Sequence, residues 1–285
     1  MLIKVIAAAL LTASLVVPAV AGGYRTVEWS DLKAEIYGAR AVEPALGQVV
    51  LEAPTRSPDD RRVPIEVAAR MRDGTAIRSV TLIIDENPMP VSAVFEFPEA
   101  REALRLGVDM RLNGPSPVRA VIETVDGRLL MAERLVKTSG LGACAAPPMG
   151  DPDAAIAGIG EMRAKVLGVE TAAVSSDKLG SKGASSSAAR PAGPMVELAM
   201  KHPQHTGLQM DQITLLFIQA RYVHELEVAD GGDAPLFHLT GSISLSEDPA
   251  LRFELGDVTA ERIEVRYTDT AGTEIARTLT LGPEG

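Results

Sequence analysis

Cys144 is the single cysteine in a chain of 285 residues. It lies in Gly140-Leu141-Gly142-Ala143-Cys144-Ala145-Ala146-Pro147-Pro148, a run of side chains almost too small to bury anything. With no second cysteine, the thiol has no internal disulfide partner. Thiol chemistry runs through the thiolate, and at an ordinary cysteine pKa of about 8.5 only a few per cent is ionised at neutral pH. No base stands beside it in the chain, and Lys137 is the nearest cation. The pattern therefore predicts a covalent attachment point on which another protein performs the chemistry. Gly140, Gly142, Ala143, Ala145 and Ala146 make an arm of low bulk, and glycine opens backbone angles closed to other residues. The arm is expected to be mobile and to hold the sulfur in the open, able to enter a narrow cleft. The plainer alternative is a small thiol filling a core gap, which is common for free cysteine.

The other polar cluster is Lys201-His202-Pro203-Gln204-His205-Thr206-Gly207. His202 and His205, with Met195, Met200 and Met210 nearby, are residue types that bind copper. Convergence at that spacing needs a helix, which Pro203 opposes, so the segment reads as a polar loop and no metal is expected. His224 and His238 fall in strand-like runs and are assigned no role. Asp59-Asp60, and Asp151 with Asp153, read as solvated loop carboxylates or helix caps. No nucleophile elbow, phosphate loop, dinucleotide fingerprint, haem-attachment or zinc-protease signature occurs. Neither intrinsic catalysis nor a cofactor is expected.

The compartment follows from the first residues. Lys4, the apolar run Val5 to Val17 and the small-x-small triplet Ala19-Val20-Ala21 have the form of a signal peptide cleaved near Ala21. The run is too short to span a bilayer. The mature chain is expected in a bacterial periplasm, where an unpaired cysteine points to intermolecular pairing or a reactive thiol. Cleavage removes one of 28 basic residues and none of the 38 acidic ones. The resulting excess of negative charge argues against nucleic acid as a partner.

What remains must position the arm. Val63, Ile65, Val67, Ala69 and Met71 alternate with more polar residues, as in a half-buried strand. Further strands are predicted at Ile77 to Ile84, Val91 to Phe97, Leu104 to Leu112, Val118 to Val125 and Leu129 to Lys137, with Asp126-Gly127 as a hairpin turn. Before them, Ser30 is expected to cap a short helix ended by Gly38, with Trp29 docking it. After the arm, Asp151-Pro152 starts a second helix with Ile156, Ile159, Met162 and Val166 as its apolar stripe. Residues 172 to 194, rich in Ser, Ala and Gly, read as a flexible linker with a reach of roughly 25 to 30 Å. Strands return at Val196 to Met200, Ile213 to Tyr222, His224 to Val228, Leu236 to Leu245, Leu251 to Leu255, Ile263 to Tyr267 and Ile275 to Leu281. Such spacing predicts an all-β protein of two sandwiches. The expected division is 1–21 signal peptide, 22–138 first sandwich with its helix, 139–194 cysteine arm, short helix and linker, and 195–285 second sandwich.

In order along the chain, these pieces resemble a SoxY-like domain joined to a SoxZ-like domain, the fused SoxYZ carrier type associated with quinoprotein dehydrogenases. Val63-Pro64-Ile65-Glu66-Val67, the turn Asp85-Glu86-Asn87-Pro88-Met89-Pro90, Phe95-Glu96-Phe97 and Asp126 to Ala132 are similar to SoxY. Lys201-His202-Pro203 with Thr206-Gly207 is similar to a SoxZ segment. The resemblance implies two immunoglobulin-like sandwiches, with Cys144 as the residue that carries sulfur intermediates between periplasmic oxidising enzymes. It also implies that a c-type cytochrome loads a thiosulfate-like group, with quinoprotein redox enzymes among the partners. Two features depart from the family pattern. The family's arm ends the chain as Gly-Gly-Cys-Gly-Gly, whereas this one is internal and is followed by Pro147-Pro148. Lower glycine content and attachment at both ends predict a shorter reach and an altered fit to the usual sulfur enzymes.

Overall fold

The computed structural model describes residues 27–139, 142–148, 152–167, 194–232, 234–255 and 260–283. The expected signal segment lies outside these residues, as does the expected linker except for Pro194. Among the described residues, no helix is long and apolar enough to cross a membrane.

In chain order, helix α1 (Trp29–Tyr37) leads into strands β1 (Val42–Pro44), β2 (Val49–Glu52), β3 (Val63–Arg70), β4 (Ile77–Ile84), β5 (Val91–Arg101), β6 (Ala103–Met110), β7 (Ser116–Thr124) and β8 (Leu129–Val136). Helix α2 (Pro152–Ala157) and β9 (Met162–Leu167) follow the arm. The second half contains β10 (Met195–Met200), β11 (Val223–Asp230), β12 (Pro235–Gly241), β13 (Ala250–Glu254), β14 (Arg262–Asp269), β15 (Glu274–Thr280) and β16 (Gly282–Pro283). The period-two reading holds in β3, where Val63, Ile65, Val67 and Ala69 are buried in alternation.

The fold is all-β, with immunoglobulin-like halves built from two facing sheets. Both sheets run through both halves. One has nine strands in the order β1-β8-β7-β4-β5-β12-β11-β14-β15, and the other has seven in the order β16-β9-β10-β13-β6-β3-β2. The halves meet where β12 pairs antiparallel with β5 (Leu239 opposite Phe95) and β13 with β6 (Leu251 opposite Val108). The junction is filled by aromatic contacts, with Phe95 against Phe237 at 5.8 Å and Phe237 against Phe253 at 5.1 Å between ring centroids. Edge-to-edge continuity pairs strand edges that would otherwise stand open. It also merges the two interiors into one core.

Three sequence expectations are corrected. Helix α1 starts at Trp29 with Glu28 at the cap position and no side-chain cap bond, so Ser30 is not its cap. Its docking stands: Trp29 packs against the cluster of Ile83, Val121 and Leu129, with the Arg119 guanidinium 4.3 Å from its ring centroid. The second helix ends at Ala157 rather than running to Val166. Gly160, with φ +91, turns the chain, and Met162, Ala164 and Val166 pack against the core at strand spacing while β9 pairs with β10. The third correction concerns Ile213 to Tyr222, which forms no strand. Asp211 Oδ1 accepts hydrogen bonds from the backbone N–H groups of Ile213 and Thr214, and Leu215 adopts φ +59. Local turn chemistry therefore overrides the apolar pattern, leaving a short finger that projects from the second half.

Candidate functional site

The arm leaves β8 through Ser139, whose backbone N–H donates to Asp60 Oδ2 at 2.8 Å, with a second contact from its hydroxyl. Asp60 is thus a buried anchor rather than the solvated carboxylate expected. Gly140 lies outside the described residues, as do the backbone of Asp151 and the side chain of Asp153. Gly142 takes φ +76, and its carbonyl accepts from Ala145 N and Ala146 N, curling the arm into a tight turn. Ala145 is exposed, Gly142 and Ala146 are half-buried and Ala143 is buried.

That turn points Cys144 inward. Its exposure is 0%, so the expectation of a thiol held in the open is corrected. The small residues that suggested reach instead let the backbone tuck tightly into the junction between the halves. Three side chains grip it there. Asn113 Oδ1 accepts from Cys144 N at 3.3 Å, Thr206 Oγ1 donates to Cys144 O at 2.6 Å, and Gln209 Nε2 donates to Ala146 O at 3.0 Å. Asn113 belongs to the first half, and Thr206 and Gln209 to the second.

The grip is braced from behind. Asn87 donates through Nδ2 to Arg111 O at 2.8 Å and to Ser244 Oγ at 2.9 Å, while its Oδ1 accepts from Asn113 N at 2.8 Å. Arg111, 2% exposed, donates through Nη1 to the carbonyls of Gln204 and Leu245 at 2.9 and 2.7 Å. A guanidinium of the first half thus threads into backbone of the second, satisfying carbonyls that burial would otherwise leave costly. Two of the segments that carried the family resemblance, Asp85 to Pro90 and Lys201 to Gly207, therefore converge on the arm. Asp85 itself is a strut, accepting from Arg119 Nε and Nη2 at 2.8 to 3.1 Å.

Burial pushes the Cys144 thiol up to about 11, with the nearby Arg111 charge opposing part of the rise. Lys137, the nearest cation along the chain, is exposed and is not the charge that acts on the thiol. Burial likewise draws Arg111 down to about 10, against the fields of Cys144 and Glu247. In this position the sulfur is a protonated thiol with little nucleophilic character.

His202 is fully buried, with Nδ1 accepting from Gln204 N at 3.1 Å and Nε2 lying 3.4 Å from Asp269 Oδ2. Its Nδ1 lone pair is therefore committed, and Met195 and Met200 are core residues, which takes apart the copper set considered from sequence. Burial holds His202 neutral, down to about 4. Its role is to shape the loop that carries Thr206. Sequence reasoning missed Asn113, Thr206 and Gln209 as arm contacts and Arg111 as the brace behind them. Thr206 and Asn87 were visible inside the resembling segments, but Arg111 and Asn113 follow the end of a strand and carry no pattern of their own.

The chain is thus an all-β protein of two linked sandwiches that close on a buried cysteine arm. The family model described as sulfur oxidation protein SoxY matches residues 33–144, ending on Cys144, and that of sulphur oxidation protein SoxZ matches residues 186–280. The chain belongs to these families as a fused SoxYZ-like protein, and SoxY and SoxZ are sulfur carrier proteins rather than catalysts. No curated protein matches the sequence. Among solved structures, the sulfur carrier protein SoxY from Chlorobium limicola f thiosulfatophilum is 21% identical, covering 39% of this chain and 94% of its own, with a TM-score of 0.34.

Proposed function

We propose that this protein is a periplasmic carrier that holds a sulfur-containing intermediate covalently on Cys144 and presents it to partner redox enzymes. The observation that carries this reading is the convergence of both halves on one arm. Asn113 from the first and Thr206 and Gln209 from the second all bind backbone within three residues of the sole cysteine. A cysteine merely filling a gap needs no such grip on its main chain. With thiosulfate as cargo, Cys144–SH and the thiosulfate dianion would join as Cys144–S–S–SO3⁻, releasing one proton and two electrons. The electrons would pass to an acceptor such as a c-type cytochrome. Water would then release sulfate and a proton, leaving a persulfide on Cys144. No residue of the carrier is asked to catalyse either step. The buried, protonated thiol is the stowed form, and loading requires the arm to leave its seat.

Burial of the sulfur also favours a second reading, in which the protein is a non-covalent accessory module for a quinoprotein dehydrogenase system. The two separate cleanly. Protein purified from its native periplasm without reductant should show a sulfur-containing mass adduct that Cys144→Ala abolishes, together with physiological function. An unmodified Cys144, with function intact in Cys144→Ala, would leave only the accessory module.

A further inference from the structure

The finger between Leu208 and Ile218 shows large apolar side chains to solvent. Leu208 and Met210 are partly exposed, Ile213 is 91% exposed, and Leu215, Leu216 and Phe217 are each about two-thirds exposed or more. Other exposed large apolar residues, among those described, are scattered singly, whereas contiguous patches of this kind mark interaction sites. The finger is held in shape. Asp211 N donates to Leu216 O at 2.9 Å, Leu215 N to Asp211 O at 3.0 Å and Ile218 N to Gln209 O at 2.8 Å. Leu215 is kept in a left-handed conformation that is unfavourable for a residue with a β-carbon. The fold thus holds these side chains outward against the hydrophobic effect.

The finger offers a partner a single charge among its apolar side chains. Asp211 is its one ionisable residue, and one carboxylate oxygen of Asp211 is already bound to Ile213 N, Thr214 N and Thr214 Oγ1. What fits it is an apolar recess. At its base, Gln209 joins finger to arm: its carbonyl closes the finger on Ile218, its Oε1 accepts from Thr206 N, and its Nε2 holds Ala146 O. We infer that this finger is the docking surface for the enzyme that loads Cys144, a protein with an apolar recess beside its own active site. Seating the finger there loosens the arm through Gln209 and Thr206. The inference rests on the carrier reading above. A second copy of the chain is the poorer occupant, because it gives no use to the link that Gln209 makes between the finger and the arm.

The test uses the full chain expressed in the source organism, carrying Ile213→Ser, Leu216→Ser and Phe217→Ser together, with Ile213→Ser alone as the milder variant. The fraction of carrier bearing an adduct on Cys144 is read by intact mass without reductant. The expected result is a fall of at least tenfold in the triple variant and severalfold in the single one, with thermal midpoint and iodoacetamide reactivity of Cys144 unchanged. Wild-type loading in the triple variant overturns the docking role and leaves the carrier reading standing. An unloaded wild-type protein overturns both. A wild-type dimer that the triple variant converts to monomer, by sedimentation, overturns the enzyme as occupant in favour of a second copy.

Discussion

Thr206→Val should make Cys144 about ten times more reactive toward iodoacetamide. In the seated arm the sulfur has no exposure, so alkylation must pass through a state in which the arm has lifted. The observed rate is then the rate of an open thiol multiplied by the small fraction of open molecules. Thr206 Oγ1 donates the shortest of the three bonds that hold the arm, 2.6 Å to Cys144 O. Removing a hydrogen bond of this kind costs about 1 to 1.5 kcal/mol in net terms, more when the acceptor stays buried, and each 1.4 kcal/mol is about tenfold in the open fraction. Gln209→Leu should act similarly through Ala146. The double variant should fall short of the product of the two, because Gln209 Oε1 also accepts from Thr206 N and the residues form one network. The rate should also keep climbing with pH beyond 9, toward about 11, since burial raises the seated thiol that far. Stopped-flow or mass-resolved alkylation of the purified protein measures all of this. A Thr206→Val rate equal to wild type, or a wild-type rate matching that of the unfolded chain, would refute the seated arm.

Other outcomes follow from the same structure. His202 has its folded pKa depressed to about 4 by burial, below the ordinary 6.5. Its share of stability is therefore present above about 6.5 and lost as pH falls toward 4, and denaturant midpoints should drop through that window less steeply in His202→Gln. Cys144 contributes with the opposite sign: its raised pKa stabilises the fold below about 9, and that contribution is lost as pH rises through about 11, a loss absent in Cys144→Ala. Phe237→Ala removes the ring bridging Phe95 and Phe253 and should cost about 3 to 5 kcal/mol in chemical denaturation, loosening the junction on which the arm rests. Gly241→Ala should destabilise as well, because an added Cβ would stand 2.6 Å from Val223 O and 2.7 Å from Leu245 Cδ1, and a thermal midpoint at the wild-type value would contradict that crowding.

Much of this architecture is legible in the chain because the half-buried strands alternate. Ile77–Ile84 lies on β4 residue for residue, and the Asp126-Gly127 turn joins β7 to β8, with Gly127 at φ +86. The misreadings have local causes. Ile213 to Ile218 has the composition of a strand, but Asp211 folds it back so that Phe217 meets Met210 in an isolated bridge rather than a ladder. Met162 and Val166 fit both a helix stripe and a strand face, and the pairing with β10 decides between them. The continuity of both sheets across the halves is set by long-range pairing such as Leu239 with Phe95, which no local pattern encodes. For the site, the cysteine and its small neighbours were visible, but their composition suits tucking as well as reaching. What separates the two is Asn113 and Thr206, residues 31 and 62 positions away.

On the carrier reading proposed above, the internal position of the arm limits the partner it can serve. One end is fixed where Asp60 holds Ser139, and Cys144 lies five residues beyond (144 − 139). At roughly 3.4 Å per extended residue, the lifted backbone at Cys144 reaches about 17 Å from that anchor. The other end returns through Pro147-Pro148 to α2 and β9, and β9 is locked beside β10. A partner must therefore admit a loop two strands thick, whereas a chain-terminal arm needs room for one. Extending the arm tests this directly. Inserting Gly-Gly after Ser139 and again after Pro148 should leave the fold intact and raise loading by a partner built for a terminal arm, while a partner matched to the loop should load the longer arm no faster. Intact-mass time courses of Cys144 modification with each class of enzyme separate the two, and equal loading of both forms by a terminal-arm enzyme would show that reach does not govern partner choice.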